Sequence, residues 1–143
     1  PPFDPCDVTN RKAPYRFDEI ENKYGIRIKY FGRGINPTRD CIVLISRVKE
    51  TSDYYVYHDH WTKEGDYIFS GEGRSGDQTA TRGNWAILNS QNDCKPIYLF
   101  IKFSSSDYYY QGQFELVDYT IEDDNGEDHM IRKEFKFRLR KVE

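Results

Sequence analysis

The stretch from residue 66 to residue 90, DYIFSGEGRSGDQTATRGNWAILNS, constrains the fold more than any other part of the chain. Tyr67 to Phe69 read as a strand that ends on an aromatic ring, and residues 84–89 read as a short helix. Gly71, Gly73, Gly76 and Gly83 punctuate the loop around them. Glycine reaches backbone conformations closed to other residues, so such a loop can turn sharply and run close to a ligand or a nucleic-acid backbone. The combination points to a recognition site rather than a packed scaffold.

The rest of the chain supplies a sheet to carry that loop. Phe17, Ile20 and Tyr24 recur at helical spacing and Gly25 stops the helix. Residues 26–30 alternate Ile26, Ile28 and Tyr30 with Arg27 and Lys29, the pattern of a half-buried strand, and residues 32–40 form a turn-rich loop. Residues 41–45 are a continuous apolar run, as expected of a buried central strand. Residues 54–57 and 67–69 give further strands, and residues 96–103 place Ile97, Leu99, Ile101 and Phe103 on one face. After a turn at 104–107, residues 108–119 form a long strand interrupted at Gly112. Residues 122–128 read as an acidic loop around the turn pair Asn125-Gly126. The last strand, 131–142, turns Phe135, Phe137 and Leu139 inward and leaves Lys136, Arg138 and Arg140 as a stripe on a solvated face.

The sum is about six to eight strands and two short helices. The fold class is α+β, mainly β: a curved sheet or partly closed barrel with short flanking helices. Pro1, Pro2, Pro5 and Pro14 mark residues 1–15 as a lead-in or linker, and residues 16–143 read as a single domain. The N-terminus has neither an initiator Met nor a signal-peptide pattern, so a piece of a longer protein is expected.

Charge narrows the partners. The net charge of −3 does not by itself suggest a nucleic-acid binder. Its distribution matters more: acidic residues gather at 18–21 and 122–128, basic residues at 27–39 and 132–141, so one positive face is compatible with the sum. Cys6, Cys41 and Cys94 are odd in number and widely spaced, which argues against a disulfide framework and for a reducing, intracellular compartment. No Cys-x-x-Cys zinc pattern occurs, and no apolar run approaches the ~18 residues of a membrane span.

Several blocks, in order, resemble the SET- and RING-associated (SRA, or YDG) domain, and more closely the SRA-like recognition domain of McrA-type, HNH-containing, modification-dependent restriction endonucleases. Gly34-Ile35-Asn36-Pro37-Thr38 resembles the family's Gly-Ile loop, and Ile42-Val43-Leu44-Ile45 the strand after it. Tyr57-His58-Asp59-His60-Trp61 falls where the family carries a Tyr and an acidic segment. Phe69-Ser70-Gly71-Glu72-Gly73 resembles Tyr-Thr-Gly-x-Gly. Gly76-Asp77-Gln78 and Thr81-Arg82-Gly83-Asn84-Trp85-Ala86-Ile87-Leu88 resemble Asp-Gln followed by Arg-Gly-Asn-x-Ala-Leu. Pro96-Ile97, Gly112-Gln113-Phe114 and Phe137-Arg138-Leu139 follow in register. The resemblance spans residues 25–142, and the block from 69 to 88 is its specific part.

What the resemblance implies is a PUA-like curved barrel that reads modified cytosine, 5-methylcytosine or 5-hydroxymethylcytosine, in double-stranded DNA by flipping the base into a concave pocket. Flipping costs a few kcal/mol of stacking and pairing, which the pocket must repay. Tyr57 and Phe69, twelve residues apart like the family's two stacking tyrosines, are the candidate aromatic faces. Each stacked base is worth ~1–3 kcal/mol. Phe69 in place of Tyr keeps the ring and loses the hydroxyl; the plainer reading is a core ring at a strand end. Asp59 is the candidate for the cytosine edge, because a carboxylate accepts from the exocyclic amine that thymine lacks. His60 is the other residue for that place, Trp61 joins the same pocket segment, and a solvated turn aspartate is the plain alternative. His58 and His60 have metal-like spacing, but no third ligand accompanies them, so no metal or other cofactor is expected.

Arg33, Arg39 and Arg74 on loops, and Gln78 and Arg82 after the glycine loop, are the candidate DNA contacts, with Gly34, Gly71, Gly73 and Gly83 shaping the loops. Asn84 reads as a helix cap, and the helix start itself is a place that favours phosphate. Two other classes remain open at this point: an RNA or unmodified-DNA binder on the same scaffold, and a metal-dependent nuclease built on Asp59, Asp66, Glu72 and Asp77. With no recognisable HNH pattern in the chain, the domain itself is expected not to be an enzyme. Any nuclease activity would belong to another domain of the parent chain.

Overall fold

The apolar run at residues 41–45 becomes the strand on which the rest is built. A computed structural model describes residues 13–28, 34–47, 59–73, 76–126 and 128–142. Strand β2 (Ile42–Arg47) pairs antiparallel with β1 (Ile35–Pro37) and parallel with β5 (Ile97–Ser104). Its side chains enter two cores: Ile42 and Leu44 one, Val43 and Ile45 the other. A strand covered on both faces is apolar at every position, which is why it reads as a run and not as an alternation.

From β5 the chain turns into β6 (Asp107–Asn125), which pairs first with β5 and then with β7 (Ile131–Lys141). β7 in turn carries β4 (Tyr67–Ser70), and β4 carries the short β3 (His60–Trp61). The result is one seven-stranded sheet in the order β1-β2-β5-β6-β7-β4-β3. Three register shifts interrupt its ladders. One lies at Gly112, whose φ is 121°, opposite the step from Leu99 to Phe100; the others lie between Lys102 and Ser104 and between Leu116 and Asp118. Bulges of this kind raise the local twist and curl a sheet. A Cβ at Gly112 would also fall 2.8 Å from Lys141 Cε.

The curl brings β2 and β4, three strands apart in the sheet order, within side-chain reach. Ser46 Oγ on β2 lies 2.5 Å from the Tyr67 hydroxyl on β4. The expected barrel is therefore not closed by a ladder among the described residues; side chains cross the gap. Ile35, Leu44, Phe69, Leu99, Phe114, Phe137 and Leu139 fill the inside of the curve, with Ile87 of helix α2 (Arg82–Leu88). Helix α1 (Phe17–Tyr24) covers the outer face of β2, β5 and β6, with Ile20 and Tyr24 packed against Tyr98 and Phe100. Gly25 ends it in the left-handed region at φ 69°.

Five sequence expectations change. Residues 35–37, expected within a turn-rich loop, form β1. Ile26 and Ile28 are buried around an exposed Arg27, but the stretch makes no ladder: their N–H groups go to the Glu21 carbonyl and carboxylate. Helix α2 starts at Arg82, two residues earlier than expected. The acidic segment is not a loop at 122–125, because Glu122 to Asn125 continue β6 opposite Ile131 to Glu134. Cross-strand charge supports that pairing, with Asp123 on Lys133 and Asp124 on Lys136. The stripe on β7 is not a free solvated face either. Lys136 is buried, and Arg138 and Arg140 clasp Asp66. The strand expected at 54–57 lies outside the described residues, as do residues 29 and 30.

Candidate functional site

An open cleft lies where β2 and β4 face each other across the gap in the sheet. Gly34 and Arg47 border it on the β1–β2 side, Phe69 and Ser70 on the β4 side, with Asp59 and the start of the glycine loop completing it. Phe69 is only 3% exposed, anchored in the inner core opposite Phe137. It meets the β1 side where residue 34 has no side chain: a Cβ there would stand 3.3 Å from Phe69 Cζ and 3.2 Å from the Ile45 carbonyl. Gly34 thus lets two strands approach across the cleft.

Asp59 is held from two sides. Ser46 Oγ donates to one carboxylate oxygen at 2.6 Å, and the Ser70 backbone N–H donates to the other at 2.7 Å. Since the one proton of Ser46 goes to Asp59, the Tyr67 hydroxyl must be the donor in its contact with Ser46. Burial and the nearby Asp59 push the Tyr67 phenol up, which keeps that donor protonated. Burial also pushes the Asp59 carboxyl above its ordinary value; the Ser46 and Ser70 donors, and more weakly the Lys136 cation, pull it back. The arrangement presents a fixed, hydrogen-bonded carboxylate on the wall of a cleft.

The glycine loop is locked rather than open. Gln78 Nε2 donates to the Gly71 carbonyl at 2.7 Å, while its Oε1 accepts from Phe135 N at 2.8 Å. Asn84 accepts from Glu72 N and donates to the carbonyls of Glu72 and Thr79, at 2.8 to 3.0 Å. A Cβ at Gly71 would sit 2.7 to 2.9 Å from Gln78 Oε1, Asn84 Oδ1 and Phe135 Cβ, so only glycine fits. The amide of Gln78 ties the loop to β7. One expectation changes: Asn84 joins helix to loop instead of capping the helix. The cap is remote: Thr81 makes no side-chain bond at the helix start, and the Glu72 carboxylate takes the Gly83 N–H at 2.9 Å. The position expected to favour phosphate already holds an anion.

The remaining candidates scatter. Arg39 is exposed between β1 and β2, and Arg82 is exposed at the first position of α2. His60 is exposed on β3; Trp61, 45% exposed, packs edge-on to Tyr67 at 4.8 Å and is not among the cleft-lining residues. Gly73 has a φ of 130°, a conformation that requires glycine. Tyr57, His58, Arg33 and Arg74 lie outside the described residues. Asp59, Asp66, Glu72 and Asp77 are each bonded elsewhere, and among the described residues no group of three or more His, Cys, Asp or Glu is placed to hold a metal ion. No described helix is long and apolar enough to cross a membrane. Sequence reading does not single out Ser46, Arg47 or Ser70, and it places Lys136 on a solvated face. The one signal was a serine directly after the apolar run of β2, a polar side chain where burial continues.

Comparison with known structures assigns the fold. The SUVH5 SRA domain in complex with methylated CHH DNA superposes with a TM-score of 0.67 at 23% identity, over 92% of this chain and 87% of that one. ScoMcrA, a type IV phosphorothioation-dependent restriction endonuclease, gives 0.70 at 21% identity, over 96% of this chain and 29% of that one. The sulfur-binding and SRA domains of ScoMcrA with phosphorothioated DNA give 0.65 at 23%, over 90% and 38%. The curled sheet with its open cleft is thus an SRA fold. Residues 10–143 match the ScoMcrA-like SRA domain, and the chain belongs to that family. No curated protein matches it in sequence.

Proposed function

We propose that this domain reads modified cytosine in double-stranded DNA by taking the flipped base into the cleft between β2 and β4. The observation that carries the reading is the Asp59 carboxylate, fixed by Ser46 and Ser70 on the cleft wall beside Phe69. Such a carboxylate accepts from the exocyclic amine of cytosine, a donor that thymine lacks. Phe69 offers one apolar wall and Tyr57 is the proposed second aromatic face. Arg39, Arg82, Arg33 and Arg74 are the proposed backbone contacts, and Arg47, at the cleft border, joins them. Structural relatives support the ligand class: SUVH5 SRA is known in complex with methylated and with hydroxymethylated DNA. The domain serves as the specificity module of a modification-dependent restriction endonuclease, with the nuclease on another part of the parent chain, and works wherever the cell keeps its DNA.

Competition binding at ~100 mM salt without divalent metal tests this. One duplex carries cytosine, 5-methylcytosine or 5-hydroxymethylcytosine at a single position. The expected result is a preference of ~10-fold or more for a modified duplex, the scale of one methyl group seated in an apolar niche. Asp59→Ala should abolish the preference. Equal binding to all three duplexes, tighter binding to RNA, or metal-dependent nicking would overturn the reading.

A further inference from the structure

The inner core holds a hydroxyl that packing does not require. Among the described residues that fill it, the buried rings are Phe69, Phe114, Phe135, Phe137 and Tyr67. Tyr67 is 4% exposed, faces Leu139 across the β4–β7 ladder and meets the Trp61 ring edge-on at 4.8 Å. A phenylalanine would pack against the same neighbours. A buried hydroxyl without a partner costs stability, so its place depends on what it bonds. That partner is Ser46 Oγ, across the seam on β2. Ser46 is itself 1% exposed and ends the inward row Ile42, Leu44, Ser46.

The direction of these bonds follows from counting protons. Ser46 has a single hydroxyl proton, and it goes to Asp59 Oδ2 at 2.6 Å. Tyr67 therefore donates to Ser46 Oγ, and the row runs one way: phenol, serine, carboxylate. With the Tyr67 proton occupying one side of Oγ, the serine's own proton is left to point at Asp59. Bonds aligned head to tail polarise and strengthen one another in a low-dielectric interior. On its other oxygen Asp59 accepts from the Ser70 backbone N–H at 2.7 Å. A carboxylate has about four lone-pair sites, so these bonds hold the group and leave the rest for a ligand in the cleft it lines.

We propose that Tyr67 is a positioning residue for the cleft carboxylate: through the Ser46 hydroxyl it holds Asp59 as an acceptor, and this sets how well the cleft tells 5-methylcytosine from thymine. This rests on the reader function proposed above. Thymine carries the same C5 methyl group and differs at the edge that Asp59 reads, where a carbonyl oxygen replaces the amine. A methyl niche alone accepts both bases. A carboxylate held ionised and in place accepts from the amine and repels the carbonyl; one that swings or takes up a proton discriminates less. The other charged or titratable groups about Asp59 are Arg47 and Glu72, which line the cleft with it, His60 on β3 and, acting more weakly, Lys136 on β7. Substitutions at 46 and 67 leave all of these in place.

The test is a double-mutant cycle of Ser46→Ala and Tyr67→Phe, read first in the DNA-free domain as the carbon-13 NMR titration of the Asp59 carboxyl. Each single variant weakens a donor to the carboxylate and should move its midpoint to higher pH, Tyr67→Phe by less. Tyr67→Phe in the Ser46→Ala background should add nothing, because the link runs through the serine. A role of Tyr67 in packing alone would leave Asp59 unmoved in either background. Should Ser46→Ala fail to fold, the midpoint in Tyr67→Phe, which keeps the ring, decides alone. In the DNA arm, affinities are compared for one duplex with 5-methylcytosine or thymine at the same position opposite guanine. Each single variant should lower the ratio of the two affinities by about two- to fivefold, the worth of one ordinary hydrogen bond. Equal loss for both duplexes, an unmoved midpoint in Tyr67→Phe, or an undiminished effect of Tyr67→Phe in the Ser46→Ala background would overturn the inference. The expected cycle in a protein without preference for modified DNA would instead uphold the Tyr67–Asp59 link and overturn the reader.

Discussion

At the scale of single residues, the glycine loop owes its shape to three side chains that sequence reading assigned elsewhere or passed over. Gln78, Asn84 and Glu72 bind backbone within the loop, to β7 and at the start of α2, and Gly71 makes room for them. Gly71→Ala should therefore cost ~1–3 kcal/mol in a denaturant titration, the usual cost of overpacking. Asn84→Ala leaves partly buried loop groups without partners and should cost a similar ~1–3 kcal/mol. The residue types and spacing at 69–88 were legible because fixed glycines and amides recur there. Their roles were not, because a polar side chain in a loop reads the same whether it faces a ligand or its own backbone. The serine partners of Asp59 were illegible for another reason: they are distant in sequence and adjacent only because the sheet curls.

Asp66 and Asp59 pull the pH dependence of stability in opposite directions. The hydrogen bond from Arg140, then that from Arg138, holds the Asp66 carboxyl at about 2, below the ordinary 3.8. Its contribution is complete above the ordinary value and disappears as pH falls through about 2. Urea midpoints between pH 6 and pH 2 should therefore decline less steeply in Asp66→Asn than in wild type. Asp59, raised by burial, acts oppositely: its ionised form costs stability, and protonation on the acid side relieves that cost.

At the scale of elements, strands were legible and their surroundings were not. The apolar run of β2, the alternation of β7 and the break at Gly112 all appear where the sequence places them. Periodicity says which residues of a strand share a face, but not what covers that face. Lys136 therefore read as solvated although it is buried, with partners on β4 and β6. The acidic residues at 122–125 read as a loop because like charges in sequence hide the opposite charges across the ladder. The two kinds of ion pair should separate in stability. Breaking the exposed pair with Asp123→Ala should change stability by less than ~1 kcal/mol. Glu134→Ala, which strips the buried Arg132 and Lys136 of a shared anion, should cost ~3–5 kcal/mol in the same titration.

At the scale of the whole molecule, the curl of the sheet is what makes a site. Bulges in β6 bend seven strands until β2 and β4 meet through Ser46, Tyr67 and Asp59, and the unclosed seam between them is the cleft. A closed ladder would leave no entrance. A chain with a net charge of −3 also has little general attraction for DNA, so specific affinity has to come from the cleft and a few cations near it. The most direct measurement of that claim places the fluorescent base 2-aminopurine beside a single 5-methylcytosine in a duplex. The account predicts that fluorescence rises on binding as the neighbouring base leaves the stack, and that Asp59→Ala removes both the rise and the preference for the methylated duplex. Tight, methyl-dependent binding with no change in fluorescence would contradict it, because the modified base would then be read inside the helix.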